Sequence, residues 1–301
     1  MSEPKPLLGN PQTRVDGRLK VTGRARYAAD TALPGGLAHA VVVGAEIATG
    51  RIAKIDVAGA LAAPGALAVF THENRPKIFR LATSFATARL LGESLQPLAG
   101  DRIHFFGQIV AVVVAGTLEE AQRAARLVRV TVEPEPAVLL REAWQKPRVP
   151  TRVDGGPAAS VRKADGVASV ADAFEAAEVK LRGTYTTPLE HHHPIEPHAT
   201  VAEWDGDRLT VHEPSQWVVS ARNLLADAFG LPEERVRVVS PFVGGGFGGK
   251  GGLWHHTVLC AAAARALGRP VKLVLTRAQM LTGTGHRPAT RQEIFLGARR
   301  D

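Results

Sequence analysis

A run of glycine at residues 243–252, V-G-G-G-F-G-G-K-G-G, constrains the fold of this chain more than any other stretch. Seven of its ten residues are glycine. Glycine at these positions can allow a helix to pack closely on a strand. It can also expose several consecutive N–H groups, which can then surround an anionic or oxo-bearing ligand at a helix N-terminus. The run therefore indicates either a tight turn or a site for a large polar ligand.

The loop fits the P-loop pattern G-x-x-x-x-G-K-[ST] up to its lysine. Gly244 and Gly249 have the required spacing, and Lys250 follows them. The next residue is Gly251, where the pattern needs a Ser or Thr hydroxyl to bind magnesium. The P-loop interpretation therefore lacks a residue that its chemistry requires.

The loop also fits the dinucleotide fingerprint G-x-G-x-x-G, through Gly244, Gly246 and Gly249. That site needs an acidic residue about 20 positions later, at the end of the next strand, to bind the ribose. The next predicted strand, at residues 271–275, is followed by Thr-Arg instead. A nucleotide-binding module that uses the Gly244–Gly252 loop is therefore an alternative that the surrounding sequence weakens.

The composition is typical of a globular protein and limits its partners. Of 301 residues, 45% are hydrophobic, and none of the apolar runs reaches the roughly 18 residues that a membrane span needs. The net charge is +8, but the basic residues are spread along the chain without interleaved aromatics, so nucleic acid is not an expected partner.

The single cysteine, Cys260, is expected in a buried helix and fits a reducing compartment. We therefore expect a cytoplasmic location, or a periplasmic one if a partner carries the export signal.

Hydrophobic periodicity predicts an α+β fold. In the first half, strands are predicted at residues 37–43, 51–57, 66–70, 101–106, 109–115 and 128–133, and a short helix at residues 58–63. A capping box at Thr117–Glu120 opens a further helix. Five prolines between Pro134 and Pro157 mark a linker. The predicted domains are residues 1–140 and 159–301, joined by a linker at residues 141–158, and the first is expected to fold independently.

In the second half, helices are predicted at residues 169–176, 215–229 and 253–267, and strands at residues 179–187, 200–204, 208–212, 235–239, 271–275 and 291–297. Asp205-Gly206-Asp207 predicts a hairpin between two of these strands. Ser215 is the expected N-cap of its helix, and Gly230 the expected C-terminal stop. The strand at residues 291–297 has no returning strand after it, so we expect it to have an unpaired edge.

Two motifs precede the glycine loop at characteristic distances. The three segments are H-H-H-P-I-E-P-H-A-T at residues 191–200, E-P-S-Q-W at residues 213–217 and V-S-P-F-V-G-G-G-F-G-G-K at residues 239–250. In this order and spacing they resemble the molybdenum-binding large subunits of the xanthine dehydrogenase and aldehyde oxidase family, most nearly its bacterial aldehyde oxidoreductase branch. Residues 14–30 and 107–130 are similar to the hammerhead domain of that family. The resemblance implies an N-terminal α/β hammerhead domain followed by the first part of a molybdopterin-binding domain.

The resemblance also implies a set of cofactor-binding residues. Gln216 matches a glutamine whose neutral amide donates to the apical oxo ligand of molybdenum without adding charge. Phe247 and Gly248 match a Phe-Gly pair beside the metal, where a backbone amide contacts the cofactor and the ring closes the substrate side. The implied cofactor-binding residues are Gln216, Gly245, Gly246, Phe247, Gly248 and Gly249.

A molybdenum-dependent oxidoreductase is the activity that the resemblance implies, with water as the oxygen source and aldehydes or N-heterocycles as substrates. Its cofactor is molybdopterin, in a dinucleotide form. The base of the family is a glutamate in a G-x-G-E segment far toward the C-terminus, beyond Asp301 in this numbering. No such segment occurs here. We therefore expect no catalytic residue within the chain. We also expect the chain to be inactive alone, because it would be a fragment or one piece of a split subunit.

Electrons would leave through an iron–sulfur small subunit and an FAD subunit, because a chain with one cysteine cannot ligate a cluster itself. A non-catalytic scaffold derived from the family is the remaining alternative. The sequence departs from the family at Gly251, where xanthine-type enzymes carry a substrate-binding glutamate. This departure favours aldehydes over purines.

The histidine-rich segment also suggests a zinc site, because His193, Glu196 and His198 could supply three ligands. Two prolines make the segment extended, so helical ligand spacing does not apply. We therefore expect no metal ligand here, and expect Glu196 and His198 to order the wall of the cofactor cavity. The family branch usually has Asn at His193.

Overall fold

The computed structural model describes residues 9, 11, 13–137, 139, 152–153, 156–157 and 169–300. Its helices are α1 (Gly17–Val21), α2 (Ala58–Leu61), α3 (Leu118–Ala125), α4 (Val170–Ala176), α5 (Val218–Phe229), α6 (His255–Leu267) and α7 (Arg277–Gly283). Its strands are β1 (Ala38–Gly44), β2 (Gly50–Asp56), β3 (Ala66–Phe70), β4 (Arg102–Ile103), β5 (Ile109–Ala115), β6 (Arg129–Pro134), β7 (Arg152–Val153), β8 (Gly156–Pro157), β9 (Val179–Thr187), β10 (Ala199–Asp205), β11 (Arg208–His212), β12 (Val236–Val239), β13 (Val271–Val274) and β14 (Thr290–Ala298). This mixture of helix and sheet is the predicted α+β class.

The described residues form two compact units. The larger contains residues 1–135 and 192–285, and the smaller contains residues 136–191 and 286–301. In the larger unit, seven described strands form a sheet in the order β12-β11-β10-β13-β1-β5-β3, and three others form a second sheet in the order β4-β2-β6. In the smaller unit, β9 pairs with β14, and β7 with β8.

One strand pair in the sheet crosses the predicted domain boundary. Strand β1 pairs with β13 in parallel, with Ala38 opposite Val271 and Ala40 opposite Leu273. Its other edge pairs with β5 in antiparallel orientation. Removing β13 would expose one edge of β1, so the structure argues against independent folding of residues 1–140. The division at residues 140 and 159 stays a prediction.

The sheet separates two hydrophobic clusters. Alternate residues of β5 face opposite sides: Val112 and Val114 belong to one cluster, and Ala111 and Val113 to the other. The first cluster includes α5 and α6, and α6 is buried continuously from His255 to Ala264. A helix buried on all sides carries small residues so that it can lie close to strands.

Cys260 lies in α6 and is fully buried. Its Sγ donates to the carbonyl of Val271 at 3.3 Å. Burial raises the pKa of this thiol far above its ordinary value. The prediction that Cys260 packs in a buried helix is confirmed, and this environment makes the thiol unreactive.

Local signals at several helix ends are confirmed. Thr117 and Glu120 form the expected capping box, with the N–H of Glu120 donating to Thr117 Oγ1 at 3.2 Å and the N–H of Thr117 donating to Glu120 Oε2 at 2.9 Å. Gly230 ends α5 in the left-handed conformation, with φ of +65°. The prediction for Ser215 is wrong, because α5 begins three residues later and Ser215 Oγ instead accepts from the N–H of Trp217.

One strand prediction needs correction, and another agrees with the structure. The strand predicted at residues 101–106 is only two residues long. Beyond it, the side chain of Gln108 takes the place of a neighbouring strand as hydrogen-bond partner. It accepts a hydrogen bond from the N–H of His104 and donates one to the carbonyl of Arg102. Strand β14 pairs along its whole length with β9, from Thr290 opposite Thr187 onward. Strand β9 lies earlier in the chain and is the one partner of β14 among the described strands, so the other edge of β14 is unpaired, as expected.

The hairpin between β10 and β11 is confirmed. Asp205 lies opposite Arg208, and Gly206 occupies the turn with φ of +57°. No helix among the described residues combines the length and apolar character needed to cross a membrane.

Candidate functional site

The glycine loop follows β12 and consists of successive turns. The N–H of Gly249 donates to the carbonyl of Gly246 at 2.8 Å, and the N–H of Gly251 donates to the carbonyl of Gly248 at 3.1 Å. Helix α6 begins only at His255, because Leu253 pairs with another segment. The loop therefore lies between β12 and α6, as predicted, but its central N–H groups are not those of the first turn of α6.

The centre of the loop has an unusual backbone. Gly245 and Gly248 both have φ of +94°, a region that side chains rarely adopt. Phe247 lies between them with φ of +52°, which costs a residue with a side chain about 1–2 kcal/mol. Phe247 as a whole residue is 69% exposed. The side chain of Phe247 is therefore exposed, and its backbone adopts a conformation that is unfavourable for residues other than glycine.

Two glycines are required because side chains press against the loop. A Cβ atom on Gly244 would lie 2.5 Å from Glu196 Cβ, and one on Gly246 would lie 2.4 Å from Gln216 Cδ. Distances under 3 Å force neighbouring atoms to move. Glu196 and Gln216 thus occupy the space that side chains would fill, and both contact the loop directly.

Gln216 is oriented by the loop. Its Oε1 accepts hydrogen bonds from the N–H groups of Gly248 at 3.1 Å and Lys250 at 3.2 Å. Its own backbone N–H donates to the carbonyl of Lys250 at 2.8 Å. Two N–H groups of the loop donate to the oxygen, so the NH₂, which lies in the same plane on the opposite side of Cδ, points away from those two groups. Within the described part of the chain this NH₂ donates to no protein group, so it is available to a ligand that accepts.

Three consecutive N–H groups of the loop are also available. Those of Gly245, Gly246 and Phe247 donate no hydrogen bond to any residue that the structure describes. The N–H groups of Gly244 and Gly248 instead donate to side chains of the protein. The loop and the amide of glutamine together present a cluster of neutral donors. Such a set suits a ligand rich in acceptor oxygens.

Lys250 points away from this donor cluster. Its Nζ donates to Glu196 Oε2 at 2.8 Å and to the Glu196 carbonyl at 3.0 Å, and its side chain has no exposed area. Burial lowers the pKa of Lys250, and the carboxylate of Glu196 opposes that shift. A P-loop lysine must reach the phosphates of the nucleotide. The inward direction of Lys250 therefore does not support the nucleotide-binding alternative.

The imidazole of His198 forms a hydrogen bond with the backbone of the glycine loop. Its Nε2 lies 3.0 Å from the carbonyl of Gly249, which can only accept, so Nε2 carries the proton. Trp254 Nε1 donates to the same carbonyl at 2.6 Å. Burial, and then the neighbouring His256, lower the pKa of His198 to about 3. The imidazole is therefore neutral at physiological pH and acts as a hydrogen-bond donor to the loop.

The histidine-rich segment does not assemble a metal site in the part of the chain that is described. No group of three or more His, Cys, Asp or Glu side chains there lies close enough to hold a metal ion. Glu196 and His198 instead contact the loop at Gly244 and Gly249, and their role in a cofactor cavity stays a prediction. His193 adopts φ of +47°.

A buried polar cluster positions the segment that carries Gln216. The carboxylate of Glu213 accepts hydrogen bonds from Thr200 Oγ1 and from Thr257 Oγ1, the latter at 3.0 Å. His256 Nε2 lies 3.6 Å from the same carboxylate. All four side chains are buried. Sequence reasoning identified Glu213 only as part of a motif, because its two threonine partners lie on different elements and carry no local signal.

Sequence models of two domains match the chain. The aldehyde oxidase and xanthine dehydrogenase a/b hammerhead domain matches residues 22–136. The molybdopterin cofactor-binding domain matches residues 155–301, which include the glycine loop and Gln216. The two matches lie in the order that the sequence motifs predict.

Known relatives cover almost all of this chain. The aldehyde oxidoreductase molybdenum-binding subunit PaoC of Escherichia coli (strain K12) is 40% identical over 294 residues, which are 97% of this chain and 38% of that protein. The xanthine dehydrogenase molybdenum-binding subunit of Escherichia coli O157:H7 is 32% identical over 298 residues, which are 96% of this chain and 39% of that protein. The chain therefore spans less than half the length of these relatives.

Solved structures share the fold. The CO dehydrogenase of Oligotropha carboxidovorans superposes with a TM-score of 0.80 and 27% identity, over 97% of this chain and 38% of that one. The aldehyde oxidoreductase of Desulfovibrio gigas superposes with a TM-score of 0.74 and 25% identity, over 95% of this chain and 32% of that one. From these matches and the two domains, this chain belongs to the aldehyde oxidase and xanthine dehydrogenase family of molybdenum-binding subunits.

Proposed function

We propose that this chain binds molybdopterin as part of a molybdenum-dependent oxidoreductase, and that the cofactor lies against the glycine loop. The observation that carries this proposal is the cluster of unused donors: the Gln216 NH₂ and the N–H groups of Gly245, Gly246 and Phe247. The molybdenum cofactor presents oxo oxygens on the metal and phosphate oxygens on the molybdopterin, and both accept hydrogen bonds. The donor set of the loop fits such a group.

Each residue of the site has a proposed task. Gln216 would donate from a neutral amide, which stabilises an oxo group without adding charge. Phe247 would close the substrate side with its exposed ring, and Gly248 and Gly249 would support the loop through their internal hydrogen bonds. When bound, molybdenum supplies a Lewis acid and an electron acceptor for hydroxylation. No described residue of this chain is proposed as the catalytic base.

Aldehydes are the proposed substrates, ahead of purines and other N-heterocycles. Gly251 offers no side chain where xanthine-type enzymes carry a glutamate. A Cβ atom there would lie 3.2 Å from the carbonyl oxygen of Gly248, a slightly tight contact that a small shift of the loop would relieve. The identity to a relative named as an aldehyde oxidoreductase subunit supports the same class.

The proposed electron acceptors are clusters and flavin on partner chains. Relatives are named as molybdenum-binding subunits, which places other components of those enzymes elsewhere. Cys260 is the single cysteine of the sequence and is buried in α6, so it cannot bind an iron–sulfur cluster. We propose an iron–sulfur small subunit and an FAD subunit as partners, a dinucleotide form of the cofactor and a cytoplasmic location.

Elemental and pterin analysis tests this function. In the protein purified in its native assembly, we expect molybdenum and pterin in amounts stoichiometric with this chain. The same sample should oxidise aldehydes when an artificial electron acceptor is supplied. Bound nucleotide without molybdenum would favour the nucleotide-binding module, and absence of both would favour the scaffold.

A further inference from the structure

A buried ion pair lies beneath the glycine loop and connects its two ends. At one end, the N–H of Gly244 donates to Glu196 Oε2 at 2.6 Å. At the other end, Lys250 Nζ donates to the same oxygen at 2.8 Å. One carboxylate oxygen therefore joins the first glycine of the loop to its lysine.

The backbone of Glu196 adds two further contacts. Its N–H donates to the carbonyl of Gly244 at 3.0 Å, and its carbonyl accepts from Lys250 Nζ at 3.0 Å. Between these ends lie the residues whose N–H groups are unused, Gly245 to Phe247. A shift of either end would change the direction of those groups.

The burial of the pair makes it sensitive to the loss of one partner. The side chains of Lys250 and Glu196 are 0% and 8% exposed. Removing one member of such a pair leaves the other as an uncompensated buried charge, whereas replacing both by neutral groups is often close to neutral for stability. A pair that adds little net stability, but fixes both ends of a loop, is suited to positioning.

We propose that Glu196 and Lys250 are coupled positioning residues that hold the loop in the conformation that binds the cofactor. This inference rests on the proposed function. Neither side chain touches the donor cluster, so each acts through the backbone of the loop. Their loss should weaken cofactor retention more than it weakens the fold.

Two single variants and their combination test the coupling in the native assembly. Glu196→Gln keeps an acceptor for the N–H of Gly244 and removes the negative charge. Lys250→Met removes the positive charge and its donors. Pterin release after dilution, followed by fluorescence, should be at least about tenfold faster in each single variant, which corresponds to about 1.4 kcal/mol. In the double variant neither charge is left alone, so its melting temperature should return toward that of the wild type, while its pterin release should stay faster because the link between the two ends of the loop is lost.

A matched control separates positioning from general stability. Asp227 pairs with Arg89 at 2.6 Å in a partly buried site, and neither residue contacts the loop. Asp227→Asn should lower the melting temperature while leaving pterin release within about twofold of wild type. If it accelerates release as much as Glu196→Gln does at an equal loss of melting temperature, the role of the pair is structural only.

The outcomes also separate this inference from the proposed function. If the wild-type assembly contains no pterin, the proposed function fails and the inference fails with it. If the wild type retains pterin and a folded Glu196→Gln variant releases it at the wild-type rate, only the inference is overturned. Glu196→Gln alone decides this question should Lys250→Met not fold, as judged by circular dichroism.

Discussion

The side-chain oxygen of Gln216 accepts a hydrogen bond from the N–H of Gly248 at 3.1 Å. This contact joins the segment before α5 to the glycine loop, and it turns the NH₂ of Gln216 away from the loop backbone. The residue therefore has two separable roles. Its oxygen holds the loop, and its NH₂ is free to donate to a ligand.

Substitution of Gln216 separates these roles. Gln216→Ala removes both, while Gln216→Glu keeps an oxygen for Gly248 and replaces the NH₂ donor by an acceptor. We expect turnover to fall by about tenfold or more in both variants, because a lost contact of about 1.4 kcal/mol in the transition state has this effect. Steady-state kinetics normalised to molybdenum content is the measurement. Wild-type turnover in Gln216→Glu would show that the NH₂ has no role.

Substitution of Gly246 tests the fit of the loop around Gln216. In Gly246→Ala the new Cβ would lie 2.4 Å from Gln216 Cδ, so the side chain or the loop must move. We expect a loss of about 1–3 kcal/mol in unfolding free energy and reduced molybdenum content. Gly100→Ala is the matched control, because no atom lies within 4 Å of a Cβ atom there. Equal molybdenum content in the two variants would argue against a tightly fitted loop.

The buried imidazole of His198 predicts a pH dependence of stability. Its folded-state pKa of about 3 lies below the ordinary value of 6.5, so the unfolded chain binds a proton in this range and the folded one does not. The contribution of His198 to the free energy of unfolding has its full value above about pH 6.5. It decreases as the pH falls toward 3, by up to about 1.4 kcal/mol per pH unit.

His198→Gln provides the comparison, because glutamine can still donate to the carbonyl of Gly249 but does not titrate. Urea unfolding at pH 7 and pH 5 should show a smaller loss of stability in the variant than in the wild type. If both proteins lose the same free energy between these pH values, His198 does not titrate as the structure requires.

A side chain at Gly251 should change substrate preference. Gly251→Glu places a carboxylate where xanthine-type enzymes carry one, and a Cβ atom there meets ordinary or slightly tight contacts with Gly248 and Leu90. We expect kcat/KM for aldehydes to fall and any turnover of hypoxanthine to rise relative to wild type. Gly251→Gln controls for size. Wild-type turnover of hypoxanthine in preference to aldehydes would contradict the proposed substrate class.

Local signals in the sequence predicted local structure well. The capping box at Thr117 and the stop at Gly230 depend on contacts within a few residues, so spacing alone identifies them. The N-cap prediction at Ser215 failed because the chain before α5 is held elsewhere, through Gln216 and the glycine loop. Tertiary contacts outweighed a weak local preference at this helix start.

Long-range relations were not accessible from the sequence. The pairing of β1 with β13 joins residues on either side of a proline-rich linker, and no turn or repeat indicates it. The contact of Lys250 with Glu196 likewise joins two motifs that the sequence shows as separate. Family resemblance predicted a set of site residues, but the direction of Lys250 became evident only from the folded chain.

The most direct test of the cofactor site is an experimental structure of the native assembly with diffraction data collected at the molybdenum absorption edge. The account predicts an anomalous peak beside the glycine loop, with the NH₂ of Gln216 at a hydrogen-bonding distance of about 3 Å from an oxygen ligand of the metal. The N–H groups of Gly245, Gly246 and Phe247 should face the bound group. A molybdenum peak remote from Gln216, with the loop facing solvent, would contradict the account.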